Sequence, residues 1–465
     1  MANSFDLIVI GGGPAGYVGA IRASQLGLRT ALVERDKVGG TCLHVGCIPT
    51  KVLLHTAERL EEMRAGSEIG IVADNVRLDV DLLYKRKDRV VTTNFRGVEY
   101  LMRKNKIAVF PGQARVAGPT RVHVSAADGS ETDLEARHLL VATGSRPRDL
   151  PGARLDHDRI VDSTGALALR TVPRSIAILG AGAVGTEFAS IFAAFGSEVT
   201  LIELLPSVLP MEDEECAAVV GKALERRGVR VRTGTAVTGA KPAGDGVRVT
   251  MRTGDAPEES IETEYVLVAV GRAPLTDGLG LDEVGVEVGR TGITVNAQMQ
   301  TSVPSVYAAG DVIGGLLLAH VGSAEAEVAV EAIAGESPRP LDSSLMPRAT
   351  FSIPQLASVG LTEKQAREGG RDVSIGRFPF TGNGRAAILG QREGLIKIVA
   401  DRELGEILGV HLVGPEVTEL LPEGVLARGL EATVAEIGQS VHAHPTLSEA
   451  MREAALAALG RAVHG

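Results

Sequence analysis

The sequence predicts an α/β protein in which two parallel-sheet domains precede a C-terminal α+β domain. Two segments of one pattern, residues 6–36 and 175–205, each indicate a strand, a glycine turn, a helix and a second strand. From about residue 346 the text changes to alternating runs such as "GLIKIVAD", followed by helical stretches, which is typical of an antiparallel sheet with helices. A chain of 465 residues has room for about three domains of ~150 residues.

The two repeated segments carry the glycine pattern of a Rossmann-like dinucleotide-binding domain. In each copy a glutamate, Glu34 or Glu203, ends the second strand 23 residues after the first glycine, from 11 to 34 and from 180 to 203. The first glycine permits a tight turn, the second admits a pyrophosphate, the third lets helix pack on strand, and the acid accepts a ribose hydroxyl. Two copies therefore predict two dinucleotide sites. The glycines are Gly11, Gly13 and Gly16, and Gly180, Gly182 and Gly185.

Composition excludes several other classes of protein. The net charge of −10 leaves no basic stripe to neutralise phosphates, which argues against a nucleic-acid binder. No apolar run reaches the ~18 residues of a membrane span. The N-terminus begins with the strand-like "FDLIVIGGG" and has no basic region before it, so we expect a cytoplasmic protein.

The segment "GGTCLHVGCIPTK" places Cys42 and Cys47 five positions apart in a chain with three cysteines. A zinc site, a structural disulfide and a redox-active pair are the three interpretations. Cys216 is remote in sequence, and no second Cys/His pair has ligand spacing, so zinc is disfavoured and no metal is expected. A structural disulfide is unusual in the cytoplasm.

A bridge between these two cysteines requires a distorted backbone. On a regular helix, positions i and i+5 hold their Cα atoms ~8–9 Å apart, whereas a disulfide requires ~4.4–6.8 Å. Gly46 and Pro49 are the residues that would permit or force the distortion.

The order of motifs resembles that of the pyridine nucleotide–disulfide oxidoreductase family, and most closely its dihydrolipoamide-oxidising branch. The resemblance covers nearly the whole chain. It rests on "GGGPAGY", "GGTCLHVGCIPTK", "ATGSRP", "GAGAVGTE", "GRAP", "AAGD", "LLLAH", "ASVGLTE" and "HAHPTLSE".

The resemblance implies two cofactors, FAD in the first domain and NAD in the second. The implied FAD residues are Gly11, Gly13, Gly16, Glu34, Gly40, Thr41, Lys51, Ala114, Thr143, Gly144, Ser145, Asp311, Leu317, Leu318, Ala319 and His320. The implied NAD residues are Gly180, Gly182, Gly185, Glu187, Glu203, Val237 and Gly271.

The resemblance also implies the catalytic groups. Cys42 and Cys47 form the redox-active disulfide, Lys51 and Glu187 form an ion pair beside the flavin, and His444 is the base that Glu449 orients. His442 is expected to be structural. Since members of the family are dimers, His444 and Glu449 would act on the cysteines of the other subunit of a homodimer.

The implied reaction is oxidation of dihydrolipoamide by NAD⁺ through FAD, as the E3 component of 2-oxo acid dehydrogenase complexes. The implied partners are the lipoyl domains of the E2 subunits. A reductase of another low-molecular-weight disulfide is the alternative enzyme, and a flavin-bound redox sensor or scaffold is the alternative from another class. A sensor would not need an intact base–carboxylate pair.

The expected domains are an FAD-binding domain over residues 1–150, an NAD-binding domain over 151–274, a return segment of the FAD domain over 275–345 and a dimerisation domain over 346–465. Three residues depart from the usual pattern of the family. They are His44, Thr50 and Gln355.

Overall fold

The computed structural model describes residues 4–464 and contains three large sheets. The strands are β1 Ser4–Ile10, β2 Thr30–Glu34, β3 Ala108–Pro111, β4 Gln113–Gly118, β5 Arg121–Ser125, β6 Glu131–Val141, β7 Ser145–Pro147, β8 Ile160–Val161, β9 Ser175–Leu179, β10 Glu198–Ile202, β11 Arg230–Arg232, β12 Thr235–Ala243, β13 Gly246–Thr253, β14 Glu259–Thr263, β15 Tyr265–Val268, β16 Arg272–Pro274, β17 Val288–Gly289, β18 Gly292–Ile293, β19 Val306–Ala308, β20 Arg348–Thr350, β21 Gln355–Gly360, β22 Val373–Pro379, β23 Leu395–Asp401 and β24 Ile407–Gly414.

Helices follow or separate these strands. They are α1 Pro14–Gln25, α2 Gly40–Val45, α3 Cys47–Arg64, α4 Val80–Lys104, α5 Ser163–Ala168, α6 Ala183–Phe195, α7 Glu214–Arg226, α8 Ala319–Ile333, α9 Glu363–Glu368, α10 Gly384–Leu389, α11 Val417–Gly429, α12 Val434–Gln439 and α13 Glu449–Ala458.

The chain divides into two compact units. One comprises the chain up to Val52, Asp81–Arg148 and Gly271–Leu341, and the other comprises Leu53–Val80, Asp149–Val270 and Asp342–Gly465. Three of these limits lie near the expected domain boundaries at 150, 274 and 345, whereas the limits of Leu53–Val80 correspond to none of them. The domain assignment itself stays a prediction.

The first unit is built on a seven-stranded sheet in the order β3-β2-β1-β6-β5-β4, with β19 paired to β6. Strands β3, β2, β1, β6 and β19 are parallel, and β5 and β4 are antiparallel. Leu7 and Val9 of β1 pack into the core on one face of the sheet, and Ile8 and Ile10 pack into the core on the other. A continuous apolar run is what burial on both faces of a parallel sheet requires.

The second unit contains a parallel sheet in the order β11-β10-β9-β15-β8 and an antiparallel sheet in the order β20-β21-β24-β23-β22. In the parallel sheet, β10, β9 and β15 repeat the arrangement of β2, β1 and β6. The antiparallel sheet packs its core against α11, α12 and α13. The predicted fold class, two Rossmann-like domains and a C-terminal α+β domain, is confirmed.

Candidate functional site

The first glycine turn connects β1 to α1 and has no room for side chains at two of its glycines. Gly11 has φ +102°, and a Cβ there would lie 2.4 Å from the carbonyl oxygen of Ala142. A Cβ on Gly16 would lie 1.8 Å from the carbonyl oxygen of Gly11. Gly13, the N-cap of α1, faces open space and makes no side-chain cap. The first N–H groups of α1 are thus accessible to an anion.

The second turn, between β9 and α6, repeats this geometry. Gly180 has φ +101°, and a Cβ there would lie 2.6 Å from the carbonyl oxygen of Ala269. A Cβ on Gly185 would meet the Gly180 oxygen at 1.9 Å, and Gly182 again leaves the helix N-terminus open. Both turns therefore fit a pyrophosphate group.

The two glutamates close these turns in the same way. Glu34 accepts from the backbone N–H of Gly12 at 2.6 Å, and Glu203 accepts from that of Ala181 at 2.7 Å. The second oxygen of Glu203 accepts from Leu205 N at 2.9 Å. These bonds fix each carboxylate at the carboxyl end of its strand, where the ribose of a bound dinucleotide is expected.

The cysteine segment breaks where the sequence predicts a distortion. Helix α2 ends at Val45, helix α3 begins at Cys47, and Gly46 between them has φ −146° and ψ −114°. A Cβ on Gly46 would lie 2.9 Å from the carbonyl oxygen of Thr41. Thr50 donates its hydroxyl to the Gly46 oxygen at 2.7 Å. Pro49 lies in the first turn of α3, where a missing N–H costs no helical hydrogen bond.

This break brings the two thiols together. The pKa of Cys42 is raised well above its usual range by a hydrogen bond with Cys47 and by burial, while Lys51 opposes the shift. Cys47 is the first residue of the 18-residue α3, so its sulfur lies where a helix favours negative charge. The pair is held next to the first glycine turn, because Gly39 N donates to the Gly12 oxygen at 2.7 Å.

Polar side chains gather around the other residues implied for FAD. Ser145 donates to Asp311 Oδ2 at 2.5 Å, and Arg272 donates to the Ser145 hydroxyl at 2.7 Å. Thr143 donates to the carbonyl oxygen of Leu275 at 2.7 Å. Ala114 is buried in β4, Gly144 has φ +75°, and Leu317, Leu318, Ala319 and His320 form the entry to α8.

Sequence reasoning missed Glu325 and Arg272. Glu325 accepts from the backbone N–H of Gly310, next to Asp311, at 2.8 Å. Burial raises the pKa of Glu325 to about 7, even though the bond from Gly310 opposes the shift. A glutamate in the middle of the helical text "SAEAEVAV" gives no sequence signal of this contact.

Four further residues that were expected at the cofactor sites are divided between the two units, two in each. Lys51 belongs to the first unit, in the second turn of α3, and Gly271, with φ +108°, lies beside β16. In the second unit Glu187 of α6 is 4% exposed and accepts from Phe351 N at 2.9 Å. Val237 lies at an irregularity of β12.

His444 and Glu449 form a hydrogen-bonded pair at the start of α13. His444 Nδ1 lies 3.0 Å from Glu449 Oε1, and Glu449 Oε2 accepts from Thr446 N at 2.8 Å. Burial acts to raise the pKa of Glu449, but the bonds from Thr446 and His444 hold it below its usual value. With Nδ1 donating, Nε2 of His444 is the free base. The His444 side chain is 78% exposed.

His442 differs from His444 in its exposure and in the partners of its ring nitrogens. Its side chain is 9% exposed, and Nε2 lies 3.0 Å from Glu423 Oε1. Nδ1 lies 3.1 Å from the carbonyl oxygen of Ser440. Both ring nitrogens thus have partners within the domain, as a structural histidine requires.

The third cysteine is isolated from this chemistry. Cys216 lies in α7 and is fully buried, and burial raises the pKa of its thiol. Within residues 4–464, no group of histidine, cysteine and acidic side chains has the arrangement of a metal site. In the same part of the chain, no helix is long and apolar enough to cross a membrane.

The chain is similar to known proteins along its whole length. A sequence family described as pyridine nucleotide-disulphide oxidoreductase matches residues 5–326, and its dimerisation domain matches residues 346–455. Dihydrolipoyl dehydrogenase from Bacillus subtilis is 44% identical over 100% of both chains, and dihydrolipoyl dehydrogenase 3 from Pseudomonas putida is 44% identical over 99% of both.

Solved structures are similar over the same length. LpdA from Mycobacterium tuberculosis has a TM-score of 0.90 at 30% identity, covering 97% of this chain and 99% of that one. The HOCl-induced flavoprotein disulfide reductase RclA from Escherichia coli, in its Cu(II) complex, has a TM-score of 0.86 at 28% identity, covering 97% and 99%.

Proposed function

The chain belongs to the pyridine nucleotide–disulphide oxidoreductase family, and we propose that it oxidises dihydrolipoamide to lipoamide while reducing NAD⁺ to NADH. The observation that carries this proposal is the Cys42–Cys47 pair at a helix break beside the first glycine turn. Relatives named dihydrolipoyl dehydrogenase, 44% identical over the full chain, support this substrate.

FAD and NAD are the cofactors of this chemistry. We assign FAD to the first glycine turn, with Glu34 at the ribose and Asp311 toward the ribityl chain, and NAD to the second turn with Glu203. The open helix N-termini at Gly13 and Gly182 support both assignments. When bound, FAD supplies the two-electron carrier between the thiols and the nicotinamide.

The protein's own residues carry out a thiol–disulfide exchange. His444 Nε2 takes the proton from one thiol of dihydrolipoamide, since only a thiolate attacks a disulfide. That thiolate attacks Cys42 of the oxidised pair, a new S–S bond forms, and Cys47 is released as a thiolate. The second substrate thiol then attacks the first substrate sulfur and displaces Cys42, and its proton passes to the departing Cys42. Lipoamide closes, and the pair is left reduced, as a thiol at Cys42 and a thiolate at Cys47.

Two features suit the cysteines to these different roles. The start of α3 favours negative charge at Cys47, which is therefore the better leaving group. Cys42 is held as the protonated partner by its bond to Cys47 and by burial. Glu449 keeps the imidazole of His444 in the tautomer that exposes Nε2. We assign Lys51 and Glu187 to an ion pair beside the flavin.

The protein is expected to act as a homodimer that receives its substrate from a partner protein. The match to a dimerisation domain over residues 346–455 supports a homodimer, in which His444 would serve the other subunit's cysteines. We propose that the substrate is carried by lipoyl domains of E2 subunits, and that the protein works in the cytoplasm as the E3 component of 2-oxo acid dehydrogenase complexes.

A direct assay tests the activity. Purified, FAD-loaded protein is mixed with dihydrolipoamide and either NAD⁺ or NADP⁺, and nicotinamide reduction is followed. We expect NADH formation. A flavin-loaded protein that forms no NADH, but oxidises NADH with another low-molecular-weight disulfide, would instead be a reductase of that disulfide. Loss of both activities would favour a redox sensor.

A further inference from the structure

A buried lysine of the C-terminal sheet holds the start of helix α7. The Lys397 side chain, in β23, is 4% exposed. Its Nζ lies 3.0 Å from Asp213 Oδ1, 3.2 Å from Glu215 Oε2 and 2.9 Å from Glu363 Oε2. An ammonium has three protons to donate, and here each has a carboxylate partner. Removing one member of such a group leaves a buried charge without compensation.

Asp213 is the residue through which this contact reaches α7. Its Oδ1 also accepts from Glu215 N as the N-cap of that helix, and its side chain is 3% exposed. The bonded ammonium therefore fixes both the cap and the chain that enters the helix.

The chain that enters α7 also covers the second glycine turn. Leu209, buried and with φ +47°, donates its backbone N–H to the Ala181 oxygen at 2.8 Å. Ala181 in turn donates to Glu203. The backbone N–H and C=O of Ala181, which lies between Gly180 and Gly182, are thus both hydrogen-bonded to the segment 203–209.

The first glycine turn has an equivalent pair of hydrogen bonds, but the chain that follows them is different. Gly12 donates to Glu34 and accepts from Gly39, as Ala181 donates to Glu203 and accepts from Leu209. After Gly39 the chain enters the cysteine helix α2. After Leu209 it enters α7, whose cap is held by Lys397.

We propose that Lys397 is a positioning residue for the nucleotide site of the second glycine turn. By holding Asp213, it keeps the segment 204–213 seated against Ala181 and keeps Glu203 in place for the ribose. This inference rests on the proposed function, because it requires that the second turn binds NAD⁺.

The test compares three variants in the full-length, FAD-loaded protein. Lys397→Met removes the ammonium and keeps an unbranched side chain that is one heavy atom shorter. Asp213→Asn breaks the charged link from the other side and retains an amide that caps helices well. Arg377→Met is the control, because Arg377 donates to Glu215 and Glu363 but is 43% exposed.

The measurements are the Kd and KM for NAD⁺, the KM for dihydrolipoamide and the anaerobic reduction of the flavin by dihydrolipoamide. We expect Lys397→Met to raise the Kd and KM for NAD⁺ by about 10- to 100-fold, the scale of a misplaced binding group. Flavin reduction by dihydrolipoamide should be unchanged, and Arg377→Met should resemble the wild type. The Lys397→Met/Asp213→Asn double variant should be no worse than Lys397→Met, since both changes break one link.

Several outcomes overturn the inference. An unchanged Kd for NAD⁺ in both Lys397→Met and Asp213→Asn would do so, and so would an equal loss in NAD⁺ binding and in flavin reduction. If Lys397→Met does not fold, as judged by flavin content, Asp213→Asn alone decides. A wild-type protein that neither binds nor reduces NAD⁺ would refute the proposed function itself.

Discussion

At the scale of single residues, the two thiols of the cysteine pair are not equivalent. Cys47 begins α3, whereas Cys42 lies inside the short α2. In the Cys42→Ser variant we expect a thiolate at Cys47 next to the flavin and therefore a long-wavelength charge-transfer band. The Cys47→Ser variant should have no such band. Absorption spectra of the two flavin-loaded variants make the comparison, and a band in both or in neither would contradict the assignment.

The two histidines of "HAHPTLSE" are also distinguishable. A general base contributes ~10²–10⁴-fold, so His444→Gln should lose about that much dihydrolipoamide turnover. Reduction of the flavin by NADH needs no substrate-thiol deprotonation and should survive. His442→Gln, in which the bond to Glu423 is altered, should keep both half-reactions. Stopped-flow measurement of each half-reaction checks this, and loss of NADH-driven reduction in His444→Gln would contradict the role of a base.

We expect Glu203 to determine which nicotinamide nucleotide is accepted. Its carboxylate is buried at the end of β10 and held by two backbone N–H groups. A 2′-phosphate in the same place would be repelled, because like charges brought together in a desolvated site cost several kcal/mol. We expect a kcat/KM for NAD⁺ far above that for NADP⁺. Equal values would show that Glu203 does not face the ribose.

At the scale of elements, the sequence predicted those features that depend on backbone sterics. The glycine turns and the break at Gly46 were predictable, because spacing and the absence of a Cβ encode them directly. The contact of Glu325 with Gly310 and that of Lys397 with Asp213 were not predictable. Such side-chain contacts depend on how separate elements pack, and no local pattern specifies them.

Helix α3, which begins at Cys47, also carries a titratable group at Glu58. Burial, and next the charge of Glu416, raise the pKa of Glu58 from its usual 4.5 to about 7. When the pKa of a carboxyl is raised in the folded state, its ionisation costs more free energy in the folded than in the unfolded protein. The free energy of unfolding should therefore decrease as pH rises from 4.5 through 7.

Replacement of Glu58 by glutamine should remove this penalty. We expect Glu58→Gln to be nearly neutral at pH 5 and to stabilise the protein by about 1–2 kcal/mol at pH 8, a value reduced for the partial exposure of the side chain. Glu62→Gln is the matched control, since Glu62 is 37% exposed and pairs with Arg59 at 2.7 Å. Denaturant unfolding of the FAD-saturated protein at the two pH values measures both. An equal effect of Glu58→Gln at pH 5 and pH 8 would contradict the raised pKa.

At the scale of the whole molecule, the repeated strand order explains why the sequence could predict the architecture. Strands β2, β1 and β6 and strands β10, β9 and β15 follow one plan, and each copy carries its own glycines and glutamate. The C-terminal domain was predicted from alternating runs and the helical stretches after them, so its class was evident but not the buried charges inside it. The role of His444 as a base was implied by the family resemblance. The sequence of one chain does not specify whether this base acts on the cysteines of its own subunit or of the other.

Hybrid dimers test that last point. His444 is 78% exposed in its own chain, as a group that acts on a neighbour requires. Mixing inactive His444→Gln chains with inactive Cys42→Ser chains gives hybrids in which one site receives both wild-type residues and the other receives neither. If His444 acts across the interface, these hybrids should recover about half of the wild-type activity per dimer, as measured by NADH formation after the hybrid species is isolated with two different affinity tags. Each variant alone, taken through the same exchange, is the control. Hybrids that are verified by mass and remain inactive would show that His444 does not act across the interface.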